Sequence, residues 1–156
     1  MMAMRRVVVA VVATFGAGLI ASFFVDANVG SWYDSLIKPA VTPPGPVFAV
    51  VWIILYALMS AALALIWTKK DNVSHIEGWV RFYFIQLLFS IMWTIFFFGL
   101  HAMLLAFTVI LFLAAIVACL IAGAWETDHR SSYLLIPYFL WVLFAAYLNI
   151  AIWYMN

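Results

Sequence analysis

Residues 103–125 read MLLAFTVILFLAAIVACLIAGAW, a run that contains no Asp, Glu, Lys or Arg. A helix crossing the hydrocarbon layer of a membrane needs about 20 mostly apolar residues, and this run meets that length. It has no polar face, so its surroundings must be apolar on every side. Working outward with the same window gives four more spans: Val7 to Val25, Pro46 to Trp67, Trp79 to Phe98, and Tyr133 to Trp153. The expected fold class is therefore an all-α membrane protein, a single five-transmembrane-helix bundle over residues 1–156. Composition agrees, since 70% of residues are hydrophobic and 8% charged, a balance that no water-soluble domain needs to fill its core.

The breaks between spans carry the organisation. Asp26 to Pro44 is the longest, with Asn28, Gly30, Asp34, Lys38 and prolines at 39, 43 and 44, and it is expected to lie over one mouth of the bundle. Thr68 to Gly78 reads as a polar turn and Glu126 to Ser132 as a tight polar loop. Gly99 to Ala102 is so short that the third and fourth helices must be antiparallel neighbours. Arg5, Arg6, Lys69, Lys70, Arg81 and Arg130 fall on one side of the membrane and Lys38 alone on the other. By the positive-inside rule the amino terminus is expected in the cytoplasm and the carboxyl terminus on the opposite face, with a bacterial cell membrane as host. Arg5 and Arg6 ahead of an apolar stretch also fit a secretory signal; the expectation is a retained first helix.

Several chemistries have no residues to carry them. A net charge of +1 gives no footprint for nucleic acid. Cys119 is the one cysteine, which excludes an internal disulfide and a thiolate metal cluster, and it is expected to be a buried, inert thiol. His75, His101 and His129 all fall in breaks, so no span offers an axial haem ligand. No Asp, Glu, Lys or Arg interrupts the core of a span, against an ion-coupled pump. Neither a hydrolytic triad nor a phosphate loop is present. No metal and no resident cofactor are expected.

At about 1.5 Å per residue, Trp52 lies about 12 Å, Trp93 about 9 Å and Ala145 about 10 Å below the face carrying the first loop. Gly16, Ala17 and Gly18 reach a similar level. Large flat side chains thus share a depth with very small ones, one way to leave a slot between helices. Residues three, four and seven apart share a helix face, which aligns Trp52 with Tyr56, Met59 and Leu63, Gln86 with Ser90, Trp93 and Phe97, and Tyr138 with Trp141, Ala145 and Asn149. Ordinary helix packing explains such rows equally well. Trp32, Trp67, Trp79 and Trp153, near span ends, read as interfacial anchors. An uncharged aromatic pocket with a few polar groups suits a flat apolar molecule with polar edges, with Lys38 and Tyr33 available to an anionic edge. A tetrapyrrole and a sterol-like lipid both meet that description.

Trp32, Tyr33, Leu36, Lys38, Pro39, Pro43, Pro44, Trp52 and Tyr56 follow a pattern that resembles the tryptophan-rich sensory proteins, the TspO/MBR family, which includes the mitochondrial translocator protein. Two further blocks agree: Gln86, Leu87, Trp93, Phe97, Phe98 and Gly99, then Pro137, Tyr138, Trp141, Phe144, Ala145, Leu148 and Asn149. The resemblance implies five membrane helices, a homodimer, and a pocket under the first loop for protoporphyrin IX, related tetrapyrroles or synthetic isoquinoline carboxamides. It implies that Tyr33, Trp52, Tyr56, Trp93, Tyr138, Trp141 and Ala145 line or border that pocket; the residue reading adds Lys38, Phe97 and Asn149. It also implies that Trp52 and Trp141 would be the catalytic residues if porphyrin is degraded. Val41 stands where relatives often carry Trp, Ser90 where they carry Asn, and Ile95 where they carry Pro. Residues 147–156 lack Lys and Arg, so a cholesterol motif is not completed there. The expected function is a membrane binding protein for tetrapyrroles, acting as sensor, carrier or sequestering protein. Oxidative porphyrin degradation, a lipid-binding role and a purely structural role are the alternatives.

Overall fold

The computed structural model describes residues 1–69 and 75–156. Among the described residues there are five long helices and no strands: α1 (Met2–Asn28), α2 (Gly45–Thr68), α3 (Ile76–Thr94), α4 (Met103–Thr127) and α5 (His129–Met155). Each is long and apolar enough to cross a membrane, and the chain is an integral membrane protein. α1 packs on α2 and α3, α2 on α5, and α4 on both α5 and α3, so the bundle closes in the order α1, α2, α5, α4, α3. Lys70, one of the charges assigned above to the second loop, lies outside the described residues.

Because these helices are apolar all round, size and polarity decide which face turns inward. The buried face of α1 is Ala10, Thr14, Ala17 and Ala21, small residues that allow neighbouring helices to approach closely. Leu19, Ile20 and Phe23 of the same helix face outward, toward lipid. The buried polar side chains Thr14, Gln86 and Asn149 turn inward, where other helices supply partners, while the Ser60 hydroxyl donates to Tyr56 O on its own helix at 2.8 Å. Thr14 Oγ1 and the Tyr83 hydroxyl, 2.8 Å apart, join α1 to α3. Tyr138 donates to Gln86 Oε1 at 2.8 Å, joining α5 to α3.

Four boundaries differ from the sequence reading, for local reasons. Helical backbone does not stop at Val25 but runs through Asn28 and a π-helical turn, Val29–Tyr33, leaving residues 34–44 as the first loop. Asn28 Nδ2 donates to Phe24 O at 3.0 Å and Ser35 Oγ to Trp32 O at 2.6 Å, so polar side chains that read as loop are satisfied on their own helix. α3 begins at Ile76 and loosens at its other end into a second π-helical turn, Ile95–Gly99, without a proline; Leu100 N donates to Ile95 O at 2.8 Å and His101, at φ 55°, ends the turn. The expected loop at 126–132 shrinks to Asp128 alone, because Ser131 and Ser132 are buried and donate to Ala62 O and Ile121 O.

Three single-residue expectations are also corrected. Cys119 is exposed on the outer side of α4, not buried, since a run that is apolar all round gives no cue to its inward face. Trp79 is not an exposed anchor: it is 7% exposed, donates to Leu120 O at 2.8 Å, and covers Gly123, where a Cβ would come within 3.0 Å of the indole. The notch at Gly18 is filled by the Tyr56 ring, so the small residues of α1 accommodate a side chain of the protein itself.

Arg6 donates to Trp67 O at 3.1 Å, while Asn156 bonds to Ile37 in the first loop, so the two ends of the chain lie at opposite ends of the bundle. At the Arg6 end, Asp128 caps α5 by accepting from Arg130 N at 3.0 Å and pairs with Lys69 at 2.8 Å. The Lys69 hydrogen bond, seconded by the Arg130 amide, holds the Asp128 carboxyl below the usual carboxylate range. A depressed folded-state pKa stabilises the fold above the unfolded value of about 3.9, and that contribution disappears as pH falls through the lower folded value. Asp128→Asn, which keeps the capping oxygen, is expected to cost about 0.2–1 kcal/mol near neutral pH, because Lys69 is 43% exposed and screened. Melting in detergent should show that difference at pH 7 and none below the folded value; a constant difference would assign it to something other than the charge.

Candidate functional site

The site is built where the second π-helical turn meets α5 beneath the first loop. Loosening at Ile95 turns Phe97 and Phe98 inward beside Trp93, with Trp93 and Phe97 stacked at 6.0 Å and Phe97 and Phe98 edge-on at 4.9 Å. The Trp93 indole donates to Asn149 Oδ1 at 3.1 Å, and Asn149 Nδ2 donates to Met103 O at 2.8 Å. One buried amide thus ties α5 to both α3 and α4 and sets the orientation of the Trp93 ring. Ala145, one turn earlier on α5, is 3% exposed and contributes a single methyl to the wall.

A cavity of about 20 Å³ lies among these groups, lined by Tyr33, Phe48, Trp93, Phe97, Phe98, Ala145, Leu148, Asn149 and Ile152. Five of the ten residues singled out from the sequence therefore meet at one cavity: Tyr33, Trp93, Phe97, Ala145 and Asn149. Trp52, Tyr56, Tyr138 and Trp141 form a second group, with Trp52 against Tyr56 at 5.5 Å and against Tyr138 at 6.3 Å. Phe48 joins the two, since it lines the cavity and also touches Trp52 at 6.2 Å and Trp141 at 5.5 Å. Lys38 does not reach the cavity. Its ammonium sits 4.7 Å from the Tyr33 ring centroid and donates to Tyr33 O at 2.7 Å and Leu36 O at 3.2 Å, so its charge is engaged within its own loop.

Phe48, Phe98, Leu148 and Ile152 are the lining residues that the sequence reading passed over. Phe48 lies four residues before Trp52 and simply extends that row backward; Leu148 and Ile152 follow Ala145 by three and seven. Those signals were in the sequence. Phe98, quoted above only in a family block, had no periodic signal, because its inward direction comes from the π-helical turn. Among the described residues three buried polar groups have no hydrogen-bond partner in the protein: the Thr42 hydroxyl in the first loop, Trp141 Nε1, and Gln86 Nε2, the last on a residue 1% exposed.

The fold and this arrangement define a class, a five-helix integral membrane protein with an uncharged aromatic cluster beneath its first loop. The TspO/MBR family model matches residues 8–155, and the chain belongs to that family. Among its relatives, the tryptophan-rich protein TspO of Archaeoglobus fulgidus is 33% identical over 153 residues, covering 97% of each chain. Protein CrtK of Rhodobacter capsulatus is 35% identical, covering 81% of this chain and 79% of the relative. The translocator protein of Ovis aries is 34% identical, covering 89% and 83%.

Replacing Asn149 with Ala leaves the buried Trp93 N–H without its acceptor and removes the tie to Met103. Leaving a buried donor unsatisfied costs about 1–3 kcal/mol, so the melting temperature in detergent is expected to fall and Trp93 emission to change. An unchanged melting temperature would mean that Asn149 does not hold these helices together.

Proposed function

We propose that this protein binds a tetrapyrrole of the protoporphyrin type beneath its first loop, as a sensor, carrier or sequestering protein of the membrane. The observation that carries the reading is the continuous set of rings from Trp93 and Phe97 through Phe48 to Trp52 and Trp141, bordered by the small wall residue Ala145. Flat π-faces bind a flat macrocycle by stacking, and small-molecule sites are mostly apolar with a few oriented polar groups. The free Trp141 N–H is a donor suited to a carbonyl or carboxylate edge. In the same reading the amino terminus lies in the cytoplasm of a bacterial cell, supported by Arg6, Lys69 and Arg130 at one end of the bundle and Lys38 at the other. Two copies would associate through lipid-exposed small faces such as Ala57 and Ala61 of α2.

Tryptophan quenching by protoporphyrin IX tests the binding. Trp52→Ala is expected to weaken it five- to a hundred-fold, the equivalent of about 1–3 kcal/mol of ring stacking, and Trp67→Ala, at the opposite end of the bundle, to leave it unchanged. Ala145→Leu should weaken it as well, by overfilling the wall, at about 1–3 kcal/mol. Absence of saturable quenching in the unmodified protein would remove the proposal.

A second reading, oxidative breakdown of the bound porphyrin, is favoured by the two electron-rich indoles that flank Phe48. Light and oxygen would supply the oxidant, and the protein would hold the macrocycle against Trp52 and Trp141, so that orientation is its contribution. Trp52→Phe and Trp141→Phe are then expected to bind porphyrin yet lose the time-dependent bleaching of its absorption bands under illumination. Bleaching at the rate seen in empty detergent micelles, for all three proteins, would leave the binding reading alone.

A further inference from the structure

A second opening lies away from the aromatic cluster, on the outer side of the bundle between α3 and α4. It is a cavity of about 250 Å³ lined by His75, Trp79, Phe82, Cys119, Leu120 and Gly123. Missing side chains make room for it. His75, Gly78 and Phe82 share a face of α3, and a Cβ on Gly78 would meet nothing within 4 Å. Gly123 leaves α4 bare opposite Trp79, whose ring closes the back of the groove while its N–H turns inward to Leu120 O. Phe82 is 48% exposed and Cys119 is exposed as well, so the groove is open on the side that faces lipid.

The groove has a direction. Cys119 stands eight residues before Thr127, the end of α4, and Phe82 seven residues after His75, so the walls run about 10–12 Å down from that end of the bundle. Along this depth the walls are apolar apart from the Cys119 thiol, and at the mouth stands His75. Its Nε2 lies 2.9 Å from the Thr127 hydroxyl. When that hydroxyl donates to Nε2, the ring hydrogen is on Nδ1, which is then a donor available to an anion. The same end of the bundle is cationic, since among the described residues Arg5, Arg6, Lys69, Arg81 and Arg130 outnumber Glu77, Glu126 and Asp128 there. A polar mouth on a cationic membrane face, above an apolar trough, matches a lipid of that leaflet with its phosphate outward and its chain inward. A volume of 250 Å³ lies below the roughly 300–1,000 Å³ of sites that enclose a whole compact ligand, so the groove suits one flexible chain lying along the helices better than a rigid ring system.

We propose that the α3–α4 groove binds a glycerophospholipid, with one acyl chain along Trp79, Phe82 and Cys119 and the phosphate at His75. The site is at the opposite end of the bundle from the aromatic cluster beneath the first loop and does not depend on the ligand read there. It also lies across the bundle from the outer face of α2, so association of two copies through α2 leaves it open to the membrane. A bound chain supplies the contacts that Gly78 and Gly123 leave unmade.

Native mass spectrometry of the whole protein released from detergent reads both parts of the site when the protein is titrated with dioleoyl phosphatidylglycerol or with dioleoylglycerol, which has the same chains and no phosphate. The unmodified protein is expected to retain a first phosphatidylglycerol about fivefold more tightly than dioleoylglycerol, the worth of one hydrogen bond to the phosphate. Cys119→Phe, which puts a ring into the groove from an exposed position, should weaken that first binding about tenfold, and Phe82→Ala, which removes a wall, should weaken it too. Ala118→Phe, on the outer side of α4 but outside the groove, should leave it unchanged. His75→Ala should bring phosphatidylglycerol down to the level of dioleoylglycerol. First binding unaltered in both Cys119→Phe and Phe82→Ala, or lowered as much by Ala118→Phe, overturns the groove as the site. A loss of dimer in Cys119→Phe with its lipid binding unchanged overturns it as well, because the groove would then seat a second copy. Equal retention of the two lipids, unaffected by His75→Ala, overturns the phosphate assignment.

Discussion

The amide of Asn149 shows the constraint under which this bundle is assembled. Lipid tails are as apolar as leucine, so burying one more Leu between helices gives little preference for one register over another. Hydrogen bonds and close contacts select the arrangement instead. Asn149 bridges three helices at once, through Trp93 on α3 and Met103 on α4, at a depth where neither amide group has water to turn to. Gln86 with Tyr138 repeats the device lower down between α3 and α5, and Thr14 with Tyr83 and Trp79 with Leu120 extend it to α1–α3 and α3–α4. Each fixes a rotation as well as a distance, since a misrotated helix would leave its polar group facing hydrocarbon.

Rotation fixed in this way is what brings the rings together. With Asn149 inward, Ala145 and Ile152 are inward too, and Trp93 is held by its own N–H. On the α2 side the notch at Gly18 admits the Tyr56 ring, and Tyr56 in turn positions Trp52 against Tyr138. The tryptophans at the site therefore occupy orientations set by polar contacts and by missing side chains, not by hydrophobicity, which is uniform around every helix.

That uniformity also explains what could and could not be read in the sequence. Five spans were legible because length and the absence of charge are enough to define them. Helix ends were less so: Asn28, Ser35, Ser131 and Ser132 look like loop residues, yet each bonds to a helix carbonyl. The outward direction of Cys119 was illegible, because nothing distinguishes the faces of α4. Within the site, the periodic residues Trp93, Ala145 and Asn149 were readable, whereas Phe98 was not, because a π-helical turn breaks the spacing on which such readings depend. Lys38 was readable as a cation but not in its use, since a short loop lets it reach its own carbonyls first.

The two ends of the bundle are built from different interactions. At one end Arg6 holds the last turn of α2, Lys69 pairs with Asp128, and His75 meets the Thr127 hydroxyl at 2.9 Å, so the amino-terminal segment, the end of α2 and the start of α3 are tied to their neighbours, partly by charge. At the other end the contacts are neutral or aromatic: Trp32 stacks on His101 at 3.9 Å, His101 meets Asn28 at 3.2 Å, and Asn156 holds Ile37. The His101 stack keeps the end of α1 on the turn after α3. The helices behind these contacts keep the orientation that Asn149 imposes.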